Sequence, residues 1–508
     1  MNCRRVAPLS LALVATVASA QGDNGDPSRE LDAYVARAVR EWNVAGFAIA
    51  VVKDGRVVFS RAYGVRDVRS GEPVDTSTLF AIASTTKALT AAAIGMLVDE
   101  GRVRWDDPVI MHLPAFRMFD PYVTREVSVR DLLSHRAGLP GSDYLWTGGD
   151  NTRDEIVRRV RFIEPAYSLR GGYTYQNVMY LVAGRMLEAV SGMTWDDFIA
   201  TRILTPLGMS RTVTTLAQAA TKPNVAAPHW NRGDTLVAIS NSLADGIGPA
   251  GSVWSSVADM SKWVRFLLDS GRVNGQPLLR PNTWAELFRP NTILPPWGPN
   301  SAPQLRLSAP HFRTYALGWF QQDYQGKQVD FHTGSLNGMI AMHGLVRENG
   351  LGVYMLANTD HAELRHALMF KVFDLYLGLP SRDWSGDMLA MARAAEARTD
   401  SARARNAAAP NAESRPALEL SAYTGTFVDS LYGTAIVTME NGSLRLRVSS
   451  HQAATLEHWQ YESFRARWDD WWRGRSTVSF IVGPNGQADR LELAGFTLRR
   501  ARTMPARR

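Results

Sequence analysis

The chain has 508 residues, 45% of them apolar, which is enough for two or three domains that each bury a core and excludes a disordered tail. Its formal charge of +7 comes from arginines scattered among Asp and Glu, without the basic, aromatic-interleaved block of a nucleic-acid binder. The single cysteine, Cys3, excludes a disulfide framework and a Cys-based metal site.

In chain order, Arg4 and Arg5, the run "VAPLSLALVATVA" and Ala18-Ser19-Ala20 read as a secretory signal over residues 1–20, cut after Ala20. Cys3 would leave with it. No later stretch is apolar for the ~20 residues that a membrane span requires, so the expected product is soluble and periplasmic or secreted. Residues 28–42 place Leu31, Val35, Val39 and Trp42 at helical spacing. "FAIAVVKDGRVVFSRAYG" reads as two strands around an Asp54-Gly55 hairpin turn. From about 76 to 300 the pattern is helical and loop-rich, with candidate helices at 84–99, 128–135, 153–162, 177–191, 195–203 and 256–270. Strands return in "YALGWFQQDY", "KQVDFHTG", "MIAMHGLVREN" and "GLGVYMLANT", and "HAELRHALMFKVFDLYLG" reads as a closing helix. This order describes an α/β domain over 28–380, an antiparallel sheet completed by both ends of the segment with a helical subdomain between. Residues 386–416, Ala/Arg-rich and short of large apolar side chains, read as a linker or solvated helix. Residues 417–503 carry closely spaced strands with "ENG" and "PNG" turns, a small all-β barrel or meander.

Lys87 is out of place in "ASTTKALTAAAIGML", unless it has a chemical use. On a helix it lies one turn from Ser84, and a lysine desolvated among apolar side chains loses basicity until it can take the serine proton. At the helix start the Ser84 N–H is also free to stabilise an oxyanion. Tyr175 and Asn177 open a later apolar-periodic helix, where a phenol can relay a proton and an amide can orient a lysine or a carbonyl. His332-Thr333-Gly334 ends a candidate strand: Gly334 would let a substrate approach the strand edge, and the N–H of Ser335 could donate to an oxyanion.

Ser84-x-x-Lys87, Tyr175-x-Asn177 and His332-Thr333-Gly334, in this order, resemble the serine β-lactamase and penicillin-binding hydrolase superfamily, specifically its class C and D-alanyl-D-alanine carboxypeptidase branch. The resemblance covers roughly residues 28–378 and includes "VSVRDLLSHRAGLPG" and "PAGSVWSSVADMSKW". It implies a β-lactamase-like fold with an appended, lipocalin-like barrel, and an acyl-enzyme mechanism without a cofactor or metal. In it Ser84 is the nucleophile, Lys87 the base and Tyr175 the proton shuttle. Asn177 holds the substrate amide, His332 and Thr333 line the pocket, and the N–H groups of Ser84 and Ser335 form the oxyanion hole. The division of base duty between Lys87 and Tyr175 stays open. Histidine at 332 is found in peptidases and esterases of the branch, where class C β-lactamases carry lysine. The resemblance therefore implies an amide or ester hydrolase acting on a small molecule or short peptide of the cell envelope, with a class C β-lactamase or a slow penicillin-binding sensor as the alternative.

Other conspicuous residues carry plainer expectations. His135 reads as a hydrogen-bonded helix-end histidine, Trp254 and Trp319 as core, and Trp468, Trp471 and Trp472 as barrel core or domain interface.

Overall fold

A computed structural model describes residues 26–298, 301–360, 362–406 and 413–501; the expected signal at 1–20 lies outside them. A hairpin of β1 (Gly46–Lys53) and β2 (Arg56–Gly64) turns at Asp54 and Gly55, whose φ angles of 50° and 74° give the double left-handed turn that suits the twist of paired strands. The sheet is completed far along the chain by β3 (Thr292–Ile293), β4 (Arg313–Tyr315), β5 (Phe320–Tyr324), β6 (Lys327–Leu336), β7 (Met339–Val346) and β8 (Leu351–Ala357). The order is β2-β1-β8-β7-β6-β5-β4-β3, antiparallel throughout, so both ends of the domain meet at β1–β8.

Strand β1 is buried on both faces, and its alternation divides the core. Phe47, Ile49 and Val51 pack with α1 (Pro27–Glu41) and the helix Ala362–Leu377, while Ala48, Ala50 and Val52 join the cluster of the helical subdomain on the other face. That subdomain contains α2 (Thr86–Asp99), α3 (Val129–Leu133), α4 (Tyr144–Thr147), α5 (Asn177–Ser191) and α6 (Val257–Leu268). Helix α7 (Ala362–Leu377) backs the sheet.

Of the segment 386–416, expected as a linker or solvated helix, the part to Asn406 is helix α8 (Trp384–Asn406), and the start of that helix packs on the hydrolase domain. Trp384 is buried, stacks on Phe370 at 4.7 Å between centroids and donates its indole N–H to Asp374 at 2.7 Å. Met388 is buried one turn later, which extends the domain past 380.

The C-terminal strands β9 (Gly425–Asp429), β10 (Gly433–Glu440), β11 (Ser443–Ser449), β12 (Gln452–Gln460), β13 (Ser463–Trp468), β14 (Arg475–Val482), β15 (Ala488–Leu493) and β16 (Phe496–Arg500) form a closed up-and-down barrel. Closure pairs β9 with β16, Phe427 opposite Arg500, leaving no edge strand. The barrel docks on the helical subdomain: Gln452 Nε2 donates to the Thr147 carbonyl at 2.8 Å, the Ser450 N–H to Asp150 at 2.8 Å, and Arg159 to the Leu431 carbonyl at 3.1 Å. Among the described residues no helix is long and apolar enough to cross a membrane.

Candidate active site

Helix α2 is largely apolar and buried from Thr86 to Leu97, and Lys87 on its first turn is fully buried with it. Its Nζ lies 2.7 Å from Asn177 Oδ1, 2.9 Å from the Ala250 carbonyl oxygen and 3.1 Å from Ser84 Oγ. Burial holds the amine well below its ordinary 10.5, and the Asp143 carboxylate opposes this. A neutral amine offers two N–H donors and one lone pair. The two carbonyl-type oxygens take the donors, which leaves the lone pair for the Ser84 hydroxyl proton.

Ser84 occupies a tight turn, Ala83–Thr85, that runs into α2. Ala83 is buried with φ of 47°, a conformation that costs energy for a residue with a Cβ and is held by its surroundings. Part of that hold is Gly334: a Cβ there would fall 2.2 Å from the Ile82 carbonyl oxygen. The glycine expected to admit a substrate instead admits the chain's own nucleophile turn.

Tyr175 and Asn177 sit at the start of α5. The Asn177 amide is held at both ends, accepting from Lys87 and donating through Nδ2 to Asp143 at 2.8 Å. The Tyr175 hydroxyl is buried and its nearest polar neighbour in the site is the Ser84 hydroxyl, while its ring centroid lies 4.7 Å from Lys87 Nζ. Burial pushes the phenol well above 10, with the Ser84 hydroxyl opposing, so it carries its proton at neutral pH. His135 fixes this segment as expected of a helix-end histidine. Buried at φ 58°, it accepts the Gln176 N–H at 3.0 Å through Nδ1, and its ring lies 4.3 Å from that of Tyr175.

His332 is not where the motif placed it. It is 1% exposed and does not border the cleft, lying under the cleft rings of Tyr175 and Phe320 at 6.1 and 5.1 Å, with Nε2 2.9 Å from the Tyr315 hydroxyl and Nδ1 2.7 Å from the Thr333 carbonyl. Nδ1 therefore carries the proton and Nε2 accepts from the phenol. Burial holds the ring well below its ordinary 6.5. The reason is strand periodicity: on β6 successive side chains point to opposite faces, so Thr333 and Ser335 reach the cleft and His332 cannot. Ser335 Oγ accepts from Arg365 at 2.8 Å, a buried guanidinium on α7 that the motif reading missed.

Ser84, Tyr175, Asn177, Thr333 and Ser335 thus border one cleft of about 800 Å³. Its far wall is built by the barrel, with His451, Trp472 and Arg473. Trp471 lies at the domain interface, 5.4 Å from the Arg232 guanidinium, while Trp254 and Trp319 are core. Asp143, the other partner of Asn177, was also missed. Among the described residues no group of His, Cys, Asp and Glu converges as metal ligands.

The comparisons agree with this geometry. The family model described as Beta-lactamase matches residues 31–373, and one described as a domain of unknown function, DUF3471, matches 409–504. Unguisins hydrolase ungD of Aspergillus violaceofuscus is 30% identical over 482 residues, covering 87% of this chain and 82% of that protein. Two solved structures share the fold. The octameric penicillin-binding protein homologue from Pyrococcus abyssi has a TM-score of 0.61 at 21% identity, over 92% of this chain and 99% of that one. SurE has a TM-score of 0.57 at 22% identity, over 94% and 99%. A family model spanning most of the chain, a relative aligned over nearly its whole length and a lysine buried against a serine lead to one conclusion: the chain belongs to the β-lactamase family of serine hydrolases.

Proposed function

We propose that the protein is an exported serine hydrolase that cleaves an amide or ester, a D-amino-acid peptide or small ester, through an acyl-enzyme on Ser84. The observation that carries this reading is the buried Lys87 amine, its pKa held down by burial, within reach of Asn177 Oδ1, the Ala250 carbonyl and Ser84 Oγ; in its neutral form the first two take its donors and its lone pair meets Ser84. In acylation Oγ attacks the carbonyl carbon as its proton passes to Lys87. The N–H groups of Ser84 and Ser335 receive the developing oxyanion. Tyr175, still protonated, gives its proton to the leaving amine or alkoxide and recovers one from the Lys87 ammonium. Deacylation reverses the route, with water attacking and its proton passing through Tyr175 to Lys87. This assigns base duty to Lys87 and relay duty to Tyr175. Thr333 and Asn177 position the substrate.

A class C β-lactamase or a slow penicillin-binding sensor would gain from a cation beside Thr333 to hold the substrate carboxylate. His332, neutral and behind the wall, does not supply it. The relative named for hydrolysing unguisins supports hydrolytic turnover over sensing.

Labelling the full chain with a fluorophosphonate and mapping the adduct tests the nucleophile. Modification at Ser84 and its loss in Ser84→Ala are expected, and an adduct on another serine overturns the assignment. Assayed against a nitrophenyl acetate, a D-amino-acid amide, a D-alanyl-D-alanine peptide and a chromogenic cephalosporin, the protein is expected to favour one of the first two. Efficient cephalosporin hydrolysis would transfer the reading to the alternative.

A further inference from the structure

A second cavity, of about 400 Å³, opens at the mouth of the barrel where the helical subdomain caps it. Deeper in the barrel, Phe427, Leu446, Phe464 and Phe480 fill the interior, but at this end the strands stop short of filling it. The wall is formed by Tyr144, Tyr432, Phe496, Trp468, Val448 and Leu498. Tyr432 stacks on Phe496 at 4.0 Å and Tyr144 meets both, at 4.7 and 4.8 Å, which makes a rigid aromatic lip.

The charged and amide side chains on this wall are already engaged. Asp150 accepts from Ser450, Asn151 donates to the Leu145 carbonyl, Gln452 to the Thr147 carbonyl, and Arg159 pairs with Glu155 and the Leu431 carbonyl. The Trp468 indole N–H is satisfied by Ser476 at 3.0 Å. With those side chains engaged, the surface left for an occupant is chiefly the aromatic and aliphatic wall, which suits an apolar group.

The cavity neighbours the catalytic cleft through helix α4. Asp143 and Trp146 line the cleft, Tyr144 and Gly148 line the barrel mouth, and Thr147 borders both. Thr147 is thus the residue that the two cavities share.

We propose that the barrel mouth is a subsite of the hydrolase, receiving an apolar acyl chain of the substrate remote from the scissile bond. This rests on the acyl-enzyme reading above and narrows its substrate class to acyl groups with a long or bulky hydrocarbon end. The barrel then has a reason to be fused to the hydrolase: it selects what reaches Ser84.

Two measurements on the full chain test this. The first compares nitrophenyl esters from acetate to decanoate. The native protein is expected to prefer decanoate by about tenfold or more in kcat/KM, as several buried methylenes warrant. Val448→Trp, on β11, and Leu493→Trp, across the barrel on β15, fill the mouth from opposite sides. Each is expected to cut the decanoate-to-acetate ratio about tenfold, and circular dichroism checks that each folds. The second uses Ser84→Ala protein with the neutral probe N-phenyl-1-naphthylamine. One probe is expected to bind, decanamide to displace it, and addition of Val448→Trp or Leu493→Trp to weaken it about tenfold. A length preference and probe binding that ignore both substitutions overturn the subsite even if Ser84 labels and acetate turns over. Conversely, probe binding that obeys both substitutions in a protein that hydrolyses no ester, amide or peptide of the panel and takes no fluorophosphonate at Ser84 keeps an apolar binding site at the mouth and removes the hydrolase reading.

Discussion

Two bases are buried in the same site and only one faces the chemistry. Lys87 and His332 are 0% and 1% exposed, and burial pushes the pKa of each well below its ordinary value. Lys87 spends its donors on two fixed oxygens and turns its lone pair to Ser84; His332 spends its proton on its own strand and its lone pair on the Tyr315 hydroxyl. Burial makes a base neutral, but only orientation makes it useful.

The comparison breaks most visibly at Lys87. Arginine keeps the charge and cannot give up its proton, its pKa being above ~12. Lys87→Arg is therefore expected to lose activity by ~10³-fold or more in kcat, nearly as much as Lys87→Ala. Steady-state assays of both variants decide it, and substantial activity in the arginine variant would make Lys87 a mere positive charge.

At His332 the same exchange of base for cation should act on the fold instead. The motif suggested that His332→Lys would draw carboxylate-bearing substrates. Because the side chain lies behind Thr333 among Tyr315, Phe320 and His343, the lysine enters an aromatic pocket without an acid. A loss of about 2–3 kcal/mol in denaturant unfolding is expected, the scale of an uncompensated buried polar group. The ester-to-cephalosporin ratio should stay within about threefold. A large swing in that ratio with unchanged stability would return His332 to the pocket wall.

These two positions also show what was legible in the sequence. The i, i+3 spacing put Lys87 beside Ser84, because the turn Ala83–Thr85 runs directly into α2 and keeps the two on one face. The Asp54-Gly55 hairpin and the largely apolar α2 were legible for the same local reason. His332 was misplaced because a strand shows its alternation but not which face turns to the cleft. Asp143 lies in a loop 34 residues before Asn177, with no periodicity to join them. The start of α8 was hidden by its Ala/Arg-rich body, although Trp384 and Met388 were the anchors to notice. The barrel's place in the cleft wall arises from domain docking, which no local pattern encodes.

Acid titration sharpens the contrast through stability. His135, His332 and His343 are all buried and neutral, His343 pushed down to about 3 and the other two well below their ordinary 6.5. In the unfolded chain each binds a proton near 6.5, so below that pH the unfolded state holds more protons. Their contribution is complete above about pH 6.5 and is lost as pH falls toward the folded values, each adding a slope of up to ~1.4 kcal/mol per pH unit. His332→Gln should remove one such slope, which urea unfolding of native and variant protein from about pH 7 to about pH 4 will show. Equal slopes would mean that His332 protonates in the folded state. The native pH–rate profile should likewise show no limb from His332 between about pH 5 and about pH 8.

The finest test acts on Lys87 without touching it. Asp143 accepts from the Asn177 amide and from the Trp146 indole N–H at 2.9 Å, and its negative charge raises the Lys87 pKa against the pull of burial. Asp143→Asn keeps an oxygen acceptor for both donors and removes only the charge. The Lys87 amine should then lose its proton at lower pH, so the acid limb of kcat/KM should move toward acid. The plateau should change by no more than about threefold, because a slightly weaker base still has its lone pair on Ser84. A purely structural role for Asp143 would lower the plateau and leave the limb in place. A limb that stays put or moves toward alkali would mean that the group titrating in the profile is not Lys87, and the contrast between the two buried bases would have to be redrawn.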